Sequence, residues 1–351
     1  MDVLRFWAEQ VNRVGIATPN TTYCVNVTFV NIGAYPNSST AGFLRSTVRQ
    51  WALQTAPTVH FFVAPFGSPM TLPVFQELDI HGKIVFSPSA SAPVLYQCSS
   101  STLAFQPECA SKPPTAKRFE AAFGLQPPAT LSAIPFMNLA QLNGAKTVAY
   151  YVENTPFSLS LIQGAQLEAA TYGLTQVAYG FISNGNPSVS DVATAAQIIA
   201  NAKPDVVIGG TTQQSCIKFM AELGQLNWVP KGGLFSLCAS DPNAATIAPN
   251  SKYFTDYVEW DRRLTGYQYI DDLYFPPTNT TTSAMLLFNA FTARYNVTRT
   301  SPPFGTLYAA GVAVRSSEDG SPICFFIFCL PAPLYLAPSA IIQCQSSKSP
   351  F

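Results

Sequence analysis

Strand-like apolar runs alternate with helix-like runs along most of this chain, and that alternation leaves few architectures open. Residues 25–30 read as a strand, and Leu44, Val48 and Trp51 mark one face of a helix. Residues 59–64 form the next strand-like run, followed by a helix from Pro69 and a short strand at 83–86. The pattern resumes at 147–152, with a helix to about Tyr172 and a strand at 176–182. Val192, Ala195, Ile199 and Ala202 then share one helical stripe, and 205–209 is a strand. Cys216, Phe219, Met220 and Leu223 make another stripe before a last strand at 233–236. Strands separated by helices of about 10–15 residues are joined by crossovers rather than tight turns, which means βαβ units and parallel sheets. The fold class is therefore α/β, with doubly wound parallel sheets.

The Pro-, Ser- and Cys-rich stretch at 97–115 has no periodicity and divides the alternation into two sets, so two lobes are predicted. Lobe I takes residues 1–121 plus 254–320 and lobe II takes 122–253. The chain crosses between them near 118–124 and near 248–262, as a multi-strand hinge. Helices at 284–295, with Phe288, Phe291 and Tyr295 on one face, and at 307–315 have no second-lobe strands to join and return to lobe I. At the other end, Leu4, Trp7, Val11 and Val14 already sit at helical spacing. A first strand and an export signal are expected ahead of that helix, so the fold reads as truncated at both ends.

Only 11% of residues are charged, against roughly 25% in a typical soluble domain. Lys+Arg and Asp+Glu balance at 19 each, so no basic field draws in nucleic acid or anionic lipid. N-x-[ST] sequons at Asn20, Asn26, Asn37, Asn279 and Asn296 point to glycosylation and to an extracellular or cell-surface location. Eight cysteines fit an oxidising compartment. Cys98 and Cys109 bracket a polar, aperiodic segment and are expected to be bonded. Cys216 and Cys238 lie near the ends of neighbouring strands and are the second expected pair.

Parallel α/β sheets bind ligands at the carboxyl ends of their strands, where helix N-termini present free N–H groups. Four junctions of that kind stand out: Ser68-Pro69, Ser89-Ala90-Ser91-Ala92-Pro93, Thr155-Pro156-Phe157 and Gly209-Gly210-Thr211-Thr212. Each alone also reads as an ordinary helix cap. Together they offer hydroxyls and amides with few charges, which suits a small anionic or zwitterionic ligand held between lobes.

Catalytic readings fare worse. His60 falls in a strand and His81 precedes Gly82 at a helix end, both structural or exposed positions. No zinc-protease, Walker A, nucleophile-elbow or dinucleotide-binding motif is present. Tyr269-Ile270-Asp271-Asp272 resembles the Tyr-x-Asp-Asp turn of reverse transcriptases, but a polymerase also needs a third carboxylate and a basic channel. The balanced charge and the α/β alternation make the match a coincidence. No enzyme activity, cofactor or metal site is expected. A hydrolase on a doubly wound fold is the rival reading, and the lack of a histidine or paired carboxylates at the junctions counts against it.

The run 62–68, Phe-Val-Ala-Pro-Phe-Gly-Ser, with 84–93, Ile-Val-Phe-Ser-Pro-Ser-Ala-Ser-Ala-Pro, resembles the first lobe of leucine/branched-chain amino-acid-binding proteins and their eukaryotic receptor relatives. The runs 145–157 and 203–210 are similar to parts of the second lobe of that family. The resemblance covers about residues 3–316 and implies the type I periplasmic-binding-protein-like fold. It implies that Ser68 holds a ligand carboxylate, that Ser89 offers a carbonyl to an ammonium, and that Ser91 touches both groups. Phe157 matches a residue that closes over the ligand, and Thr211 falls near another second-lobe contact. The family's acidic residue belongs in the loop matching 235–241, where Cys238-Ala239-Ser240 stand instead and Asp241 is the nearest carboxylate. The implied function is capture of a small, amino-acid-like metabolite in an inter-lobe cleft, with hinge closure and receptor signalling. The alternatives are delivery of the solute to an ATP-driven transporter, or a degenerate fragment that no longer binds. A homodimer through lobe I is a further expectation.

Residues 321–347 carry no charge, and include Pro322, Pro331, Pro333, Pro338, Cys324, Cys329 and Cys344. The stretch 323–342 is long enough to cross a bilayer, but three prolines inside it and the lone Lys348 after it disfavour a span. Residues 321–351 are therefore expected to form an irregular apolar tail outside the fold, with its cysteines lacking partners.

Overall fold

The computed structural model describes residues 2–13, 16–17, 22–23, 26–31, 40–55, 59, 61–65, 67–98, 109, 112, 116–183, 188–211, 213–235, 244–256, 293–294 and 324–329. The chain forms two compact units. Unit 1 takes Met1–Ala90, Leu95–Gln126 and Asn289–Phe351, and unit 2 takes Ser91–Val94 and Pro127–Phe288.

Unit 1 opens with α1 (Asp2–Asn12), which buries Leu4, Phe6, Trp7 and Ala8. A short antiparallel pair follows, β1 (Ile16–Ala17) with β2 (Thr22–Tyr23). Next come β3 (Asn26–Asn31), α2 (Thr40–Arg49) with a π-helical extension at Gln50–Thr55, β4 (Phe61–Val63), α3 (Ser68–Ile80), β5 (Ile84–Ser87) and, after a longer connection, β6 (Ala122–Gly124). The stripe expected on α2 is inward: Leu44, Val48 and Ala52 are fully buried and Trp51 is half-buried. A buried carboxylate ties α2 to α3. Glu77 accepts hydrogen bonds from Arg49 Nε at 2.7 Å and Arg45 Nε at 3.3 Å, with His81 Nε2 at 3.4 Å. Burial by itself pushes this carboxyl up, but the hydrogen bonds from Arg49 and Arg45, together with the Arg49 charge and the His81 contact, hold the group below its ordinary value.

Unit 2 contains α4 (Ile134–Leu142), β7 (Thr147–Glu153), α5 (Pro156–Glu168), β8 (Thr175–Ile182), α6 (Val189–Ala202), β9 (Val206–Gly210), α7 (Gln213–Gln225), β10 (Gly232–Phe235), α8 (Ala244–Ile247) and β11 (Phe254–Asp256). Its sheet runs β11-β10-β9-β7-β8 with every pair parallel. Alternation along β7 feeds two cores, because successive strand side chains point to opposite faces. Ala149 and Tyr151 pack with Val192, Ala195 and Ile199 of α6 and Phe219 and Met220 of α7. Val148, Tyr150 and Val152 pack with Phe136 and Met137 of α4 and Leu161 and Ile162 of α5. Ser188 and Asp191 form a capping box that starts α6, and Lys203 ends it in the left-handed conformation at φ 48°.

The last described strand, β12 (Cys324–Cys329), returns to unit 1, whose main sheet runs β3-β12-β4-β5-β6, all parallel. For residues 324–329 this corrects the expectation that 321–351 lies outside the fold. A continuous apolar run closed off by Pro322 and Pro331 suits a strand with a neighbour on either side as well as it suits a tail. Residues 330–351 and the expected helix at 307–315 lie outside the described residues, as do Tyr269–Asp272 and His60. Of the helix expected at 284–295 only 293–294 are described, and they are helical.

The divisions between units also differ from those expected. The long segment of unit 2 begins at Pro127 rather than at residue 122, because β6 pairs with β5. It runs past residue 253, because β11 pairs with β10 and the Phe254 ring lies 5.2 Å from that of Phe235. Among the described residues no helix is long and apolar enough to cross a membrane.

Candidate functional site

In unit 1 the carboxyl ends of β4 and β5 carry the first two junctions. α3 is capped by Gly67, whose φ of +88° favours glycine, so Ser68 and Pro69 occupy its first two positions. The cap role expected of Ser68 thus passes to Gly67. Ser68 is buried at 1% exposure. Ser89 is buried as well, and its hydroxyl accepts the Gly67 amide at 3.2 Å, which binds the exit of β5 to the start of α3. The turn after β5 is fixed from both sides. Ala90 donates to Ser87 Oγ at 3.0 Å, and Tyr96 Oη donates to the Ala90 carbonyl at 2.6 Å. Burial pushes the Tyr96 hydroxyl up to about 12, so it remains a donor at neutral pH.

Ser91, expected beside Ser89 in the first lobe, belongs to unit 2. Its carbonyl accepts the Ala129 amide at 2.7 Å. Its hydroxyl is buried without a hydrogen-bond partner among the described residues.

At the carboxyl end of β7, Thr155 caps α5: its Oγ1 accepts the Ser158 amide at 3.2 Å and lies 2.8 Å from Ser158 Oγ. Phe157 follows in the first turn, half-buried and packed against the α4–α5 core. Thr211 is buried directly after β9. The junction is tight because residue 210 is a glycine. A Cβ there would stand 2.6 Å from the Ser158 carbonyl oxygen. Thr212 lies outside the described residues.

Sequence reasoning missed Glu153. It is the last residue of β7, fully buried, one position beyond the Val152–Gly210 pair. The available signal was an acid closing an otherwise apolar strand. Nearby, the Tyr151 hydroxyl is 2.8 Å from Ser215 Oγ in the first turn of α7. Burial first, with the charges of Glu153 and Asp191 adding to it, holds that phenol well above its ordinary value. Unit 2 therefore has a carboxylate at a strand end, although not from the expected loop. Asp241 and Cys238 lie outside the described residues.

Cys98 and Cys109 are bonded, with Cα atoms 5.6 Å apart. Cys216 is buried and also disulfide-bonded. Of the sequons, Asn26 is the first residue of β3, while Asn20, Asn37, Asn279 and Asn296 lie outside the described residues. Among the described residues no three His, Cys, Asp or Glu side chains come together as metal ligands.

A family model described as periplasmic binding protein matches residues 41–311. No curated protein matches the chain. Solved structures share the fold at low identity. One is an ABC-transporter substrate-binding protein from Aeropyrum pernix, with TM-score 0.61, 14% identity, and 92% of this chain and 74% of the other covered. A second is an ABC-transporter substrate-binding protein from Desulfitobacterium hafniense in complex with Leu, with TM-score 0.58, 13% identity, and 92% and 81% covered. A third is a solute-binding protein of an ABC transporter from Rhodopseudomonas palustris BisB5 in complex with 3,4-dihydroxybenzoic acid, with TM-score 0.57, 11% identity, and 92% and 76% covered.

Proposed function

Because this chain belongs to the periplasmic binding protein family, whose model matches well over half of it, we propose that it binds a small carboxylate-bearing solute, amino-acid-like in size, for delivery to an ABC transporter. The observation that carries this reading is the chemistry of the strand ends. In each unit a helix N-terminus follows the carboxyl end of a parallel strand, with buried hydroxyls beside it: Ser68 and Ser89 in one, Thr155 and Thr211 in the other. Helix N-terminal N–H groups and hydroxyls suit a carboxylate, and the positive end of the helix dipole favours its charge. Leucine and 3,4-dihydroxybenzoate, bound by two structural neighbours, differ in every group except the carboxylate. The buried hydroxyl of Ser91 supports the same reading, since a buried polar atom gains from a partner.

Transport is favoured over the receptor signalling expected from the sequons, because the neighbours are transporter binding proteins. Thermal shift with leucine, other α-amino acids and 3,4-dihydroxybenzoate, each set against its decarboxylated counterpart, tests the proposal. Solutes with the carboxylate should raise the melting temperature and their counterparts should not. Ser68→Ala and Ser91→Ala should each weaken binding by about 1–3 kcal/mol, as for a lost hydrogen bond to a charged group, with the fold intact. Stabilisation independent of the carboxylate, or unchanged in both variants, sinks the reading.

A further inference from the structure

β3 and β4 follow one another in the chain, joined by α2 and its π-helical extension, yet they do not pair. β12 lies between them and runs parallel to both. Its six residues register with Asn26–Asn31 on one side, and Phe325, Phe326 and Ile327 register with Phe61, Phe62 and Val63 on the other. A one-strand gap inside a parallel sheet leaves two facing rows of main-chain donors and acceptors, and an unpaired row is costly wherever water is kept out. Only another strand, bringing two rows of its own, satisfies both. The occupant comes from the opposite end of the chain, and its connection to either neighbour plays no part in the pairing.

The occupant also has the character of a discrete segment. Residues 323–330 are uncharged and apolar, and Pro322 and Pro331 bracket them. Proline cannot donate to a ladder, so the bracket limits how far the segment pairs and resists slippage along the gap. We propose that the gap between β3 and β4 is a strand-acceptor site. It takes an extended, uncharged, apolar segment of about six residues, parallel to its neighbours, and residues 324–329 fill it in cis. Main-chain pairing on both sides supplies the recognition, as when a peptide adds to a sheet edge, but with two ladders in place of one. The same segment on a separate molecule therefore occupies the gap whenever the cis strand cannot.

Phe326 pairs with both Thr28 and Phe62, so Phe326→Pro in the full chain removes an amide donor from the middle of the strand. This variant should melt at least about 5 °C below the wild type. A synthetic peptide of residues 321–331 should restore the melting temperature in proportion to ln(1+[L]/Kd). The peptide carrying the same substitution should not. A labelled wild-type peptide should co-purify with F326P and not with the wild-type chain, whose gap is already filled. If F326P does not accumulate folded, refolding from denaturant with and without peptide reads the same property. Soluble protein with a cooperative melt should then be recovered only with the wild-type peptide. An F326P variant that melts like the wild type, or a peptide that changes neither melting nor refolding, overturns the proposal.

Discussion

At Gly210 one missing methyl group decides how β9 meets α5. The atom a Cβ would strike, 2.6 Å away, is the carbonyl oxygen of Ser158, a main-chain atom held in the first turn of α5. Gly210→Ala should therefore cost about 1–3 kcal/mol, the range for overpacking a site that cannot yield. Gly42, exposed in α2, has nothing within 4 Å of a built Cβ. There the same change should stabilise by about 0.5 kcal/mol through helix propensity alone. Denaturant curves of the two variants check the pair, and a similar sign for both would mean that space at residue 210 is not what its glycine supplies. The two glycines cannot be told apart in the sequence, because the neighbour that constrains Gly210 lies far off in the chain. The same blindness explains Ser68 and Glu153. Gly-Ser-Pro permits either of its first two residues as the cap, and the φ of Gly67 decides it. Glu153 was hidden because an acid at a strand end reads as the start of a loop until its burial is known.

Among elements, the amino ends of three strands in unit 2 are pinned by one carboxylate. Asp205, just ahead of β9, accepts the amides of Lys146 and Thr147 at 2.8 and 3.0 Å, the Thr147 hydroxyl at 3.1 Å, and the Lys231 ammonium at 2.6 Å ahead of β10. The Lys231 contact first, and then the two backbone amides, hold Asp205 far below the usual carboxylate range. A folded-state pKa below the unfolded value of about 3.9 means that the stabilisation is complete above that pH and is lost as the pH falls toward the folded-state value. Asp205→Asn should lower the melting temperature at pH 7, and the gap to wild type should narrow on acidification below about pH 4. Melts at pH 7 and pH 3 with an equal gap would contradict this. The elements themselves were largely legible. The stripe of Val192, Ala195 and Ile199 fixed α6, and the strand read at 205–209 is Val206–Gly210. β12 was not legible as a strand. A run paired on both sides shows no period, so residues 323–330 fit a strand, a membrane span or a tail equally, and the choice rested on partners at Asn26 and Phe61.

At the scale of the whole molecule, the two-unit division followed from the alternation, while its limits shifted because three-residue strands such as β6 and β11 carry too little pattern to assign. The junctions at the strand ends were readable, since Ser-Pro and Thr-Pro mark helix starts after strands. The strand order of unit 1 has a further consequence, for the timing of synthesis. All five strands of the unit 2 sheet lie between Thr147 and Asp256, whereas the unit 1 sheet needs residues 324–329 before β3 and β4 can join. Contacts between distant residues form late, and strands awaiting partners pair wrongly or aggregate. Pulsed hydrogen exchange during refolding should show β7 and β9 amides protected before those of β3 and β4, and simultaneous protection would rule that order out. The unit whose first strands are made first is then the unit completed last. Its vulnerable interval lasts until residues 324–329 have joined the sheet, and during that interval the demand on chaperones falls on unit 1 rather than on unit 2.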